Sequence, residues 1–348
     1  MDVILKHLLD VTGHRDHQLM EISILSAIQQ MAGVQSARIL SVAVSYGKTV
    51  LRPNAWIQNG KVGVVNVTSD REKNEEPIST YPALVGCIER MEACAREMLP
   101  GGGCRVWFPI WIDDKVATCF EIHRSQEMSP KTHDLIEGML GVYSNFVSLL
   151  DYSERDSLTG LLNRKTFESH FSKSHVSSEH LPETIYVEQE RRHDADNKQQ
   201  WLAVVDIDHF KRVNDTLGHL YGDEVLILIA QLMSASFRSQ DRIFRFGGEE
   251  FVILIYATTF DNVTMIMERF RSMVERHPFP QIGQITVSIG FTSFDPEESP
   301  VVTLGHADDA LYYAKDHGRN RICHYDELVI QGLLPDPDRI EVAAIEYF

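Results

Sequence analysis

The stretch Arg245-Phe246-Gly247-Gly248-Glu249-Glu250-Phe251 decides how this chain is read. It sets a glycine pair and two adjacent carboxylates between two apolar runs. Ile243-Phe244-Arg245-Phe246 leads in, and Phe251-Val252-Ile253-Leu254-Ile255 leads out. Gly-Gly is a hairpin signal, because both residues take positive φ without steric cost. The pattern predicts a hairpin tip whose glycines are bare and whose next two residues are acids. Such a tip suits the approach of a large polyphosphate, with a carboxylate holding the metal that neutralises it.

Upstream, Trp201-Leu202-Ala203-Val204-Val205-Asp206-Ile207-Asp208 is a continuous apolar run ending in acids, which predicts a buried strand. Between it and the hairpin lies a helix with Val225, Leu226, Ile229, Leu232 and Met233 on one side. A helix over about 261–276, a strand Ile285 to Phe291, a helix Leu304 to His317 and a short strand Arg321 to Tyr325 follow. A helix ending near Phe171 precedes the set, and the polar stretch 172–199 reads as a long loop or inserted excursion. The order predicts a ferredoxin-like α+β sheet with helices on one face and extra flanks. Such a sheet lays the first strand beside the hairpin, so Asp206 and Asp208 approach Glu249 and Glu250. Carboxylates converging from adjacent strands suit Mg²⁺, which takes oxygen ligands and completes its shell with phosphates. Any one of these acids alone is better explained as an ordinary strand end or solvated tip; together they are not. Lys211 follows closely, and Lys315 and Arg319 share a helix face, although the helix dipole alone would explain that pair.

The whole chain sets bounds on this. Its 348 residues suit two domains. The net charge is −17, from 33 basic and 50 acidic residues, which disfavours a nucleic-acid partner. Cys87, Cys94, Cys104, Cys119 and Cys323 have no C-x-x-C spacing and read as reduced core thiols. No stretch approaches a membrane span, so the expectation is a soluble cytoplasmic protein without a membrane partner.

The first half opens with helical spacing at Leu19, Ile22, Ile24, Leu25, Ile28 and Met31. Strands are expected over Ala37 to Val44, Lys61 to Val67, Cys104 to Ile112 and Lys115 to Ile122. Asp113-Asp114 makes a turn between the last two. Tyr81 to Met98 reads as a helix ended by Pro100-Gly101-Gly102-Gly103. Ser129-Pro130 starts a helix running to about Tyr152. Along it Met139, Val142, Tyr143, Phe146, Leu149, Leu150 and Ser153 form a near-heptad seam. That seam packs either on its own domain or on a second protomer.

Residues from about 155 to 325 resemble the GGDEF domain of bacterial diguanylate cyclases. The signature here is Gly247-Gly248-Glu249-Glu250-Phe251. Further blocks are Asp156-Ser157-Leu158-Thr159-Gly160-Leu161-Leu162-Asn163-Arg164 and Asp206-Ile207-Asp208-His209-Phe210-Lys211. Asn214-Asp215, Gly218-His219, Gly222-Asp223, Ser288-Ile289-Gly290, Ala307 to Tyr312, Ala314-Lys315 and Gly318-Arg319-Asn320 complete the match. Blocks in the right order are far more specific than one signature. The resemblance implies a nucleotide-cyclase palm fold and condensation of two GTP into cyclic di-GMP with release of two pyrophosphates, by a dimer. It implies Mg²⁺, with Mn²⁺ as a substitute, held by Asp206, the carbonyl of Ile207, Glu249 and Glu250. Glu249 would accept the 3′-hydroxyl proton, Glu250 would assist and Lys211 would stabilise transition-state charge. Asn214 and Asp223 would hold guanine. His219, His209, Phe210, Gly247, Gly248, Lys315 and Arg319 would bind the rest of the substrate. Arg238-Ser239-Gln240-Asp241 matches the R-x-x-D product-inhibition site, with Arg269 or Arg271 as a further arm.

The first half resembles a GAF-type sensor through Val106-Trp107-Phe108-Pro109-Ile110 and the exit helix with Tyr143-Ser144-Asn145-Phe146; a PAS-like domain is the alternative. The expected division is 1–150 as sensor with an exit helix over about 130–154, 155–326 as cyclase and 327–348 as an extension. The expected partners are GTP, cyclic di-GMP, a second copy through the 135–155 helix, and a small-molecule or redox signal at the sensor. The competing function is a GTP- or cyclic di-GMP-binding regulator that does no synthesis.

Overall fold

The computed structural model describes residues 17–45, 47–64, 74–99, 102–112, 115–174, 185–187, 199–238, 240–294 and 298–335. Asp113-Asp114, residues 65–67, most of the 172–199 excursion and residues 336–348 fall outside the described residues. The chain divides into two compact units, Met1–Ser153 with His180–Arg192, and Glu154–Glu179 with His193–Phe348.

Among the described residues the first unit opens on α1 (His17–Ala32), whose Ile24, Leu25 and Ile28 are buried at helical spacing. Strands β1 (Ser36–Ser45), β2 (Lys48–Gln58), β3 (Lys61–Val64) and β4 (Glu76–Pro77) follow. After α2 (Pro82–Glu89) come β5 (Ala95–Met98), β6 (Cys104–Ile112) and β7 (Lys115–Arg124). The sheet order is β5-β6-β7-β1-β2-β3, with β4 beside β2. Neighbouring residues on β1 serve opposite faces, as strand alternation requires. Ile39 joins the core with Ile24, Ile28, Phe120, Ile136 and Tyr143. Leu40 packs with Leu51, Leu84, Cys87 and Trp107 on the other face.

Two local expectations fail here. The helix expected over Tyr81 to Met98 stops at Glu89. Met91 adopts positive φ (55°), and the Glu92 amide donates to the Cys87 carbonyl. Ala95–Met98 then pairs with Cys104–Trp107, so sheet pairing overrides helical propensity. The second failure is β2, which periodicity missed. Its Pro53 breaks the strand pattern, and the register with β1 slips at that point. A bulge is where a sheet tolerates proline.

Helix α3 (Pro130–Glu154) starts as expected, with Ser129 Oγ accepting from the Thr132 amide at 3.2 Å. Met139, Tyr143 and Leu150 of the seam are buried in the first unit's own core, with Phe146 partly buried against it. Leu149 and Tyr152 stay exposed. Intramolecular packing therefore claims most of the seam.

In the second unit, β8 (Leu162–Asn163) leads into α4 (Arg164–Ser174). From the excursion, β9 (Ile185–Val187) pairs in parallel with β3 and belongs with the first unit. Then come β10 (Gln199–Ile207), α5 (Phe210–Leu217), α6 (His219–Ser236), β11 (Arg242–Arg245), β12 (Glu250–Thr258), α7 (Phe260–Arg276), β13 (Val287–Phe294), α8 (Pro300–Asp316), β14 (Ile322–His324) and α9 (Tyr325–Ile330). The sheet runs β14-β13-β10-β12-β11-β8. Its inner four strands, β13-β10-β12-β11, are antiparallel in the expected ferredoxin-like order. Trp201, Ala203 and Val205 face α6 and α7, against Val225, Ile229, Met267 and Phe270. Leu202 and Val204 face the opposite way, against Ala307 and Leu311 of α8 and Phe167 of α4. The flanking helices thus cover the second face. Part of the C-terminal extension is the ordered helix α9, whose Leu328 packs on Ala310. Among the described residues, no helix is long and apolar enough to cross a membrane.

Candidate active site at the sheet end

Strand alternation chooses the first acid. Leu202 and Val204 point toward α8, so Asp206 points there too. Lys315 near the end of α8 meets it, with Nζ 2.8 Å from Oδ2. Asp206 is 3% exposed. Its register partner across the β10–β12 ladder is Glu250, which shares the face of Val252 and Leu254. Glu249 lies one residue earlier, in the turn. Burial pushes the Asp206 carboxyl upward; Lys315 opposes this, and the Glu250 and Asp208 charges add to the rise. Burial also raises Glu249, with Asp206 and Glu250 adding to it and Lys315 opposing. Asp206, Glu249 and Glu250 are thus electrostatically coupled around one lysine.

The close approach of α8 rests on Gly290 of β13. A Cβ there would lie 2.1 Å from the Ala307 carbonyl oxygen and 2.2 Å from the Leu311 nitrogen. No side chain fits between strand and helix at this point.

The hairpin tip differs from expectation in one respect. Gly247 and Gly248 both lack positive φ. The requirement at Gly247 is space: a Cβ would come within 2.7 Å of Glu250 Oε2. The amides of Phe246 and Gly247 both donate to the Glu250 carbonyl, closing the turn. Arg245, which sequence reasoning left without a role, clamps it. Its Nη2 donates to the Gly248 carbonyl at 3.0 Å and its Nη1 to Asp156 Oδ1 at 2.9 Å. Asp156 also accepts from the Thr159 amide and hydroxyl. Burial works against this carboxylate, but the Thr159 and Arg245 bonds outweigh it and hold its pKa below the usual range. An arginine just before a glycine pair was the available signal.

Asp208 belongs elsewhere than with the other acids. It is buried and accepts from Thr286 Oγ1 (2.6 Å), Ser288 Oγ (2.7 Å) and the Asn320 amide (3.0 Å). Asn320 and its neighbour Arg319 both have positive φ, and Arg271 Nη1 donates to Asn320 Oδ1. Asp208 therefore pins the loop that carries Arg319.

The remaining predicted residues sit on α5 and α6. His209 precedes α5 with φ 59°, and Lys211 is exposed in its first turn. The Phe210 ring is in the core, which leaves its backbone for any substrate contact. Ile207 is likewise buried, leaving its carbonyl. Asn214 packs against Gly222, where a Cβ would fall 2.0 Å from Asn214 Oδ1. Asp223 is half-buried one residue on, and His219 is exposed at the start of α6. Asp241 turns inward, accepting from the amides of Arg238 (2.9 Å) and Tyr256 (3.3 Å), while Arg238 is exposed. Arg269 donates to the Ser236 carbonyl at 2.8 Å, which brings it to the end of α6 just before Arg238.

Asp206, Glu249 and Glu250 supply hard oxygen donors of the kind Mg²⁺ takes, but among the described residues they are not a group whose ligand atoms all lie within 4.8 Å of one another.

Residues 153–321 match the family described as "Diguanylate cyclase, GGDEF domain". The chain is similar to diguanylate cyclase DgcP of Pseudomonas aeruginosa, 37% identical over 57% of this chain and 28% of that protein. It is similar to diguanylate cyclase DgcZ of Escherichia coli K12, 33% identical over 54% of this chain and 61% of that protein. It thus spans less than two thirds of these relatives. Among solved structures, the GGDEF domain of DgcB from Caulobacter crescentus in complex with c-di-GMP is 32% identical, with TM-score 0.42, over 50% of this chain and 96% of that one.

Proposed function

We propose, from the premise that residues 153–321 make this chain a member of the diguanylate cyclase GGDEF family, that it condenses two GTP into cyclic di-GMP and two pyrophosphates. The observation that carries the reading is the acid cluster of Asp206, Glu249 and Glu250 gathered at one sheet end beside Lys315.

Asp206, the Ile207 carbonyl, Glu249 and Glu250 would hold Mg²⁺, or Mn²⁺ in its place. When bound, the metal neutralises phosphate charge and acidifies a coordinated hydroxyl. Glu249, with its raised proton affinity, accepts the 3′-hydroxyl proton. Lys315 balances Asp206 in the free enzyme and turns to a phosphate in the loaded one. Lys211 and Arg319 supply further positive charge, with Arg319 held by the Asp208–Asn320 bond. The bare Gly247-Gly248 backbone and the start of α5 at His209 and Phe210 face the phosphates. Asn214 and Asp223 take the guanine edge, where a carboxylate suits the N1 and N2 donors, and His219 closes the site.

Each domain holds one GTP, so two copies act together, joined through the 135–155 helix. Residues 1–150 serve as a GAF-like sensor for a small-molecule or redox signal, 155–326 as the cyclase, and 327–348 as an extension. Arg238, Asp241 and Arg269 form a product-inhibition site in the cytoplasmic enzyme. In that site Asp241 shapes the turn and the exposed Arg238 reaches the ligand.

Incubation of the full chain with GTP and Mg²⁺ yields cyclic di-GMP by chromatography. Asp206→Asn and Glu249→Gln each lower the rate by about 100-fold or more. Absence of product from protein shown to be dimeric rejects the reading in favour of a nucleotide-binding regulator. A mixed ATP and GTP incubation reports purine selectivity.

A further inference from the structure

The described cysteines differ in what their sulfur faces. Cys87 donates to the Glu92 carbonyl and Cys104 to the Gln126 carbonyl. Burial pushes the Cys87 thiol up to about 11 and Cys119 to about 12, and it also raises Cys323. Each of these thiols is buried, or held in its neutral form, or both. Cys94 is different. It is half-buried just before β5, and its Sγ lies 3.3 Å from His133 Nε2. The other ring nitrogen, Nδ1, lies 3.7 Å from a Glu137 carboxylate oxygen. His133 and Glu137 are one turn apart on α3, and the imidazole sits against the Phe108 ring at 5.5 Å. Nucleophile, base and orienting carboxylate thus follow in line. This is the arrangement by which a weak nucleophile is made strong.

We propose that Cys94, His133 and Glu137 form a base-activated thiol that is modified by small electrophiles, hydroperoxides among them. The Glu137 carboxylate, 3.7 Å from Nδ1 and beyond hydrogen-bond distance, favours the proton on that nitrogen through its charge, which leaves the Nε2 lone pair facing the thiol. The imidazole takes the thiol proton, and the thiolate sulfur attacks the nearer peroxide oxygen. An S–O bond forms and the O–O bond breaks. The leaving hydroxide takes the proton from the imidazolium and departs as water. The sulfur is oxidised by two electrons to sulfenic acid as the peroxide is reduced. With an alkyl iodide the same thiolate forms a C–S bond and iodide leaves.

A metal centre is the competing use of these residues, since His133, Asp134 and Glu137 offer ligand atoms within 4.8 Å of one another. Glu137 lies against Nδ1, whereas Cys94 faces Nε2. One ion cannot take both nitrogens of a ring, so the four residues do not form a single site. The thiol relay uses both nitrogens at once.

The test is peptide-resolved mass spectrometry of the full chain treated with limiting iodoacetamide, and separately with hydrogen peroxide followed by a sulfenic-acid trap. Cys94 is expected to react at least about tenfold faster than Cys323. His133→Gln and Glu137→Gln should each slow Cys94 while leaving Cys323 unchanged, which also reports that the fold is intact. Equal rates at the two cysteines, or a Cys94 rate unmoved by His133→Gln, would overturn the proposal. So would a Cys94 that reacts only after a chelator is added, which would place a metal on the pair.

Discussion

Two carboxylates and one glycine govern the site most directly. Asp206 and Glu249 both carry raised proton affinity, chiefly from burial. Metal and substrate require them ionised. The rate should therefore rise with pH through a step above the ordinary carboxylate value of about 4. Lys315 opposes the rise at Asp206, so Lys315→Met should move that step to higher pH as well as weaken GTP binding. For stability the sign is the reverse. A carboxyl raised in the folded state stabilises most below its unfolded pKa, and that contribution fades as pH climbs through the folded value. Without divalent metal, the second unit should lose stability over that window, and Mg²⁺ should restore it. A series of thermal melts against pH with and without Mg²⁺ measures both; a metal effect independent of pH would contradict the assignment. Gly290 is the other sensitive position. Gly290→Ala puts a methyl into the backbone of α8 and should cost about 1–3 kcal/mol by denaturant titration. Because α8 carries Lys315, the same variant should also raise KM for GTP.

Among the elements, the hairpin and the segment before β8 behave as one piece through Arg245. Its guanidinium joins the Gly248 carbonyl to Asp156 with two separate nitrogens. Lysine has a single charged nitrogen and cannot reproduce that fork. Arg245→Lys should leave the second unit folded yet speed amide exchange at Gly247 to Glu250, with kcat falling more than GTP affinity. Unchanged exchange at the tip would remove the clamp from the account. Much of this element level was legible in sequence. Alternation on β10 and β12 already implied that Asp206 and Glu250 share a face, given the ferredoxin-like order. The Gly-Gly pair was read correctly as a turn and incorrectly as a positive-φ turn. A glycine needed for space and one needed for φ look alike in a sequence. The helix expected over Tyr81 to Met98 failed for a different reason: the partner of Ala95–Met98 is a strand that comes later in the chain.

For the molecule as a whole, α3 carries the connection from Pro130 to Glu154. Its Met139, Tyr143 and Leu150 are committed to the first unit's core, while Leu149 and Tyr152 are exposed, Tyr152 at 78%. If two copies meet through this helix, the exposed pair is the contact. Leu149→Asp with Tyr152→Ala should then shift light-scattering mass toward monomer, and the specific rate should fall steeply on dilution. Since neither residue supports the core, the melting temperature should barely move. A double variant that remains dimeric and active would place the contact elsewhere.

The local chemistry of this chain was open to reading from its residues. Acid pairs at a strand end and a hairpin tip, spaced lysines and arginines, a Ser-Pro helix start and period-two runs all act over a few residues. A linear pattern records them. The assignment of Asp206 to Lys315 and of Asp208 to Asn320 was not recorded there, although the two acids differ only by one intervening isoleucine. Nor was the approach of α8 over Gly290, the clamp from Arg245 to Asp156, or the meeting of Cys94 with His133. Each of these joins atoms from separate elements, at distances set by packing of the whole unit. At the hairpin that opened the reading, the residues announced the acids, and the packed sheet selected which acid faces which partner.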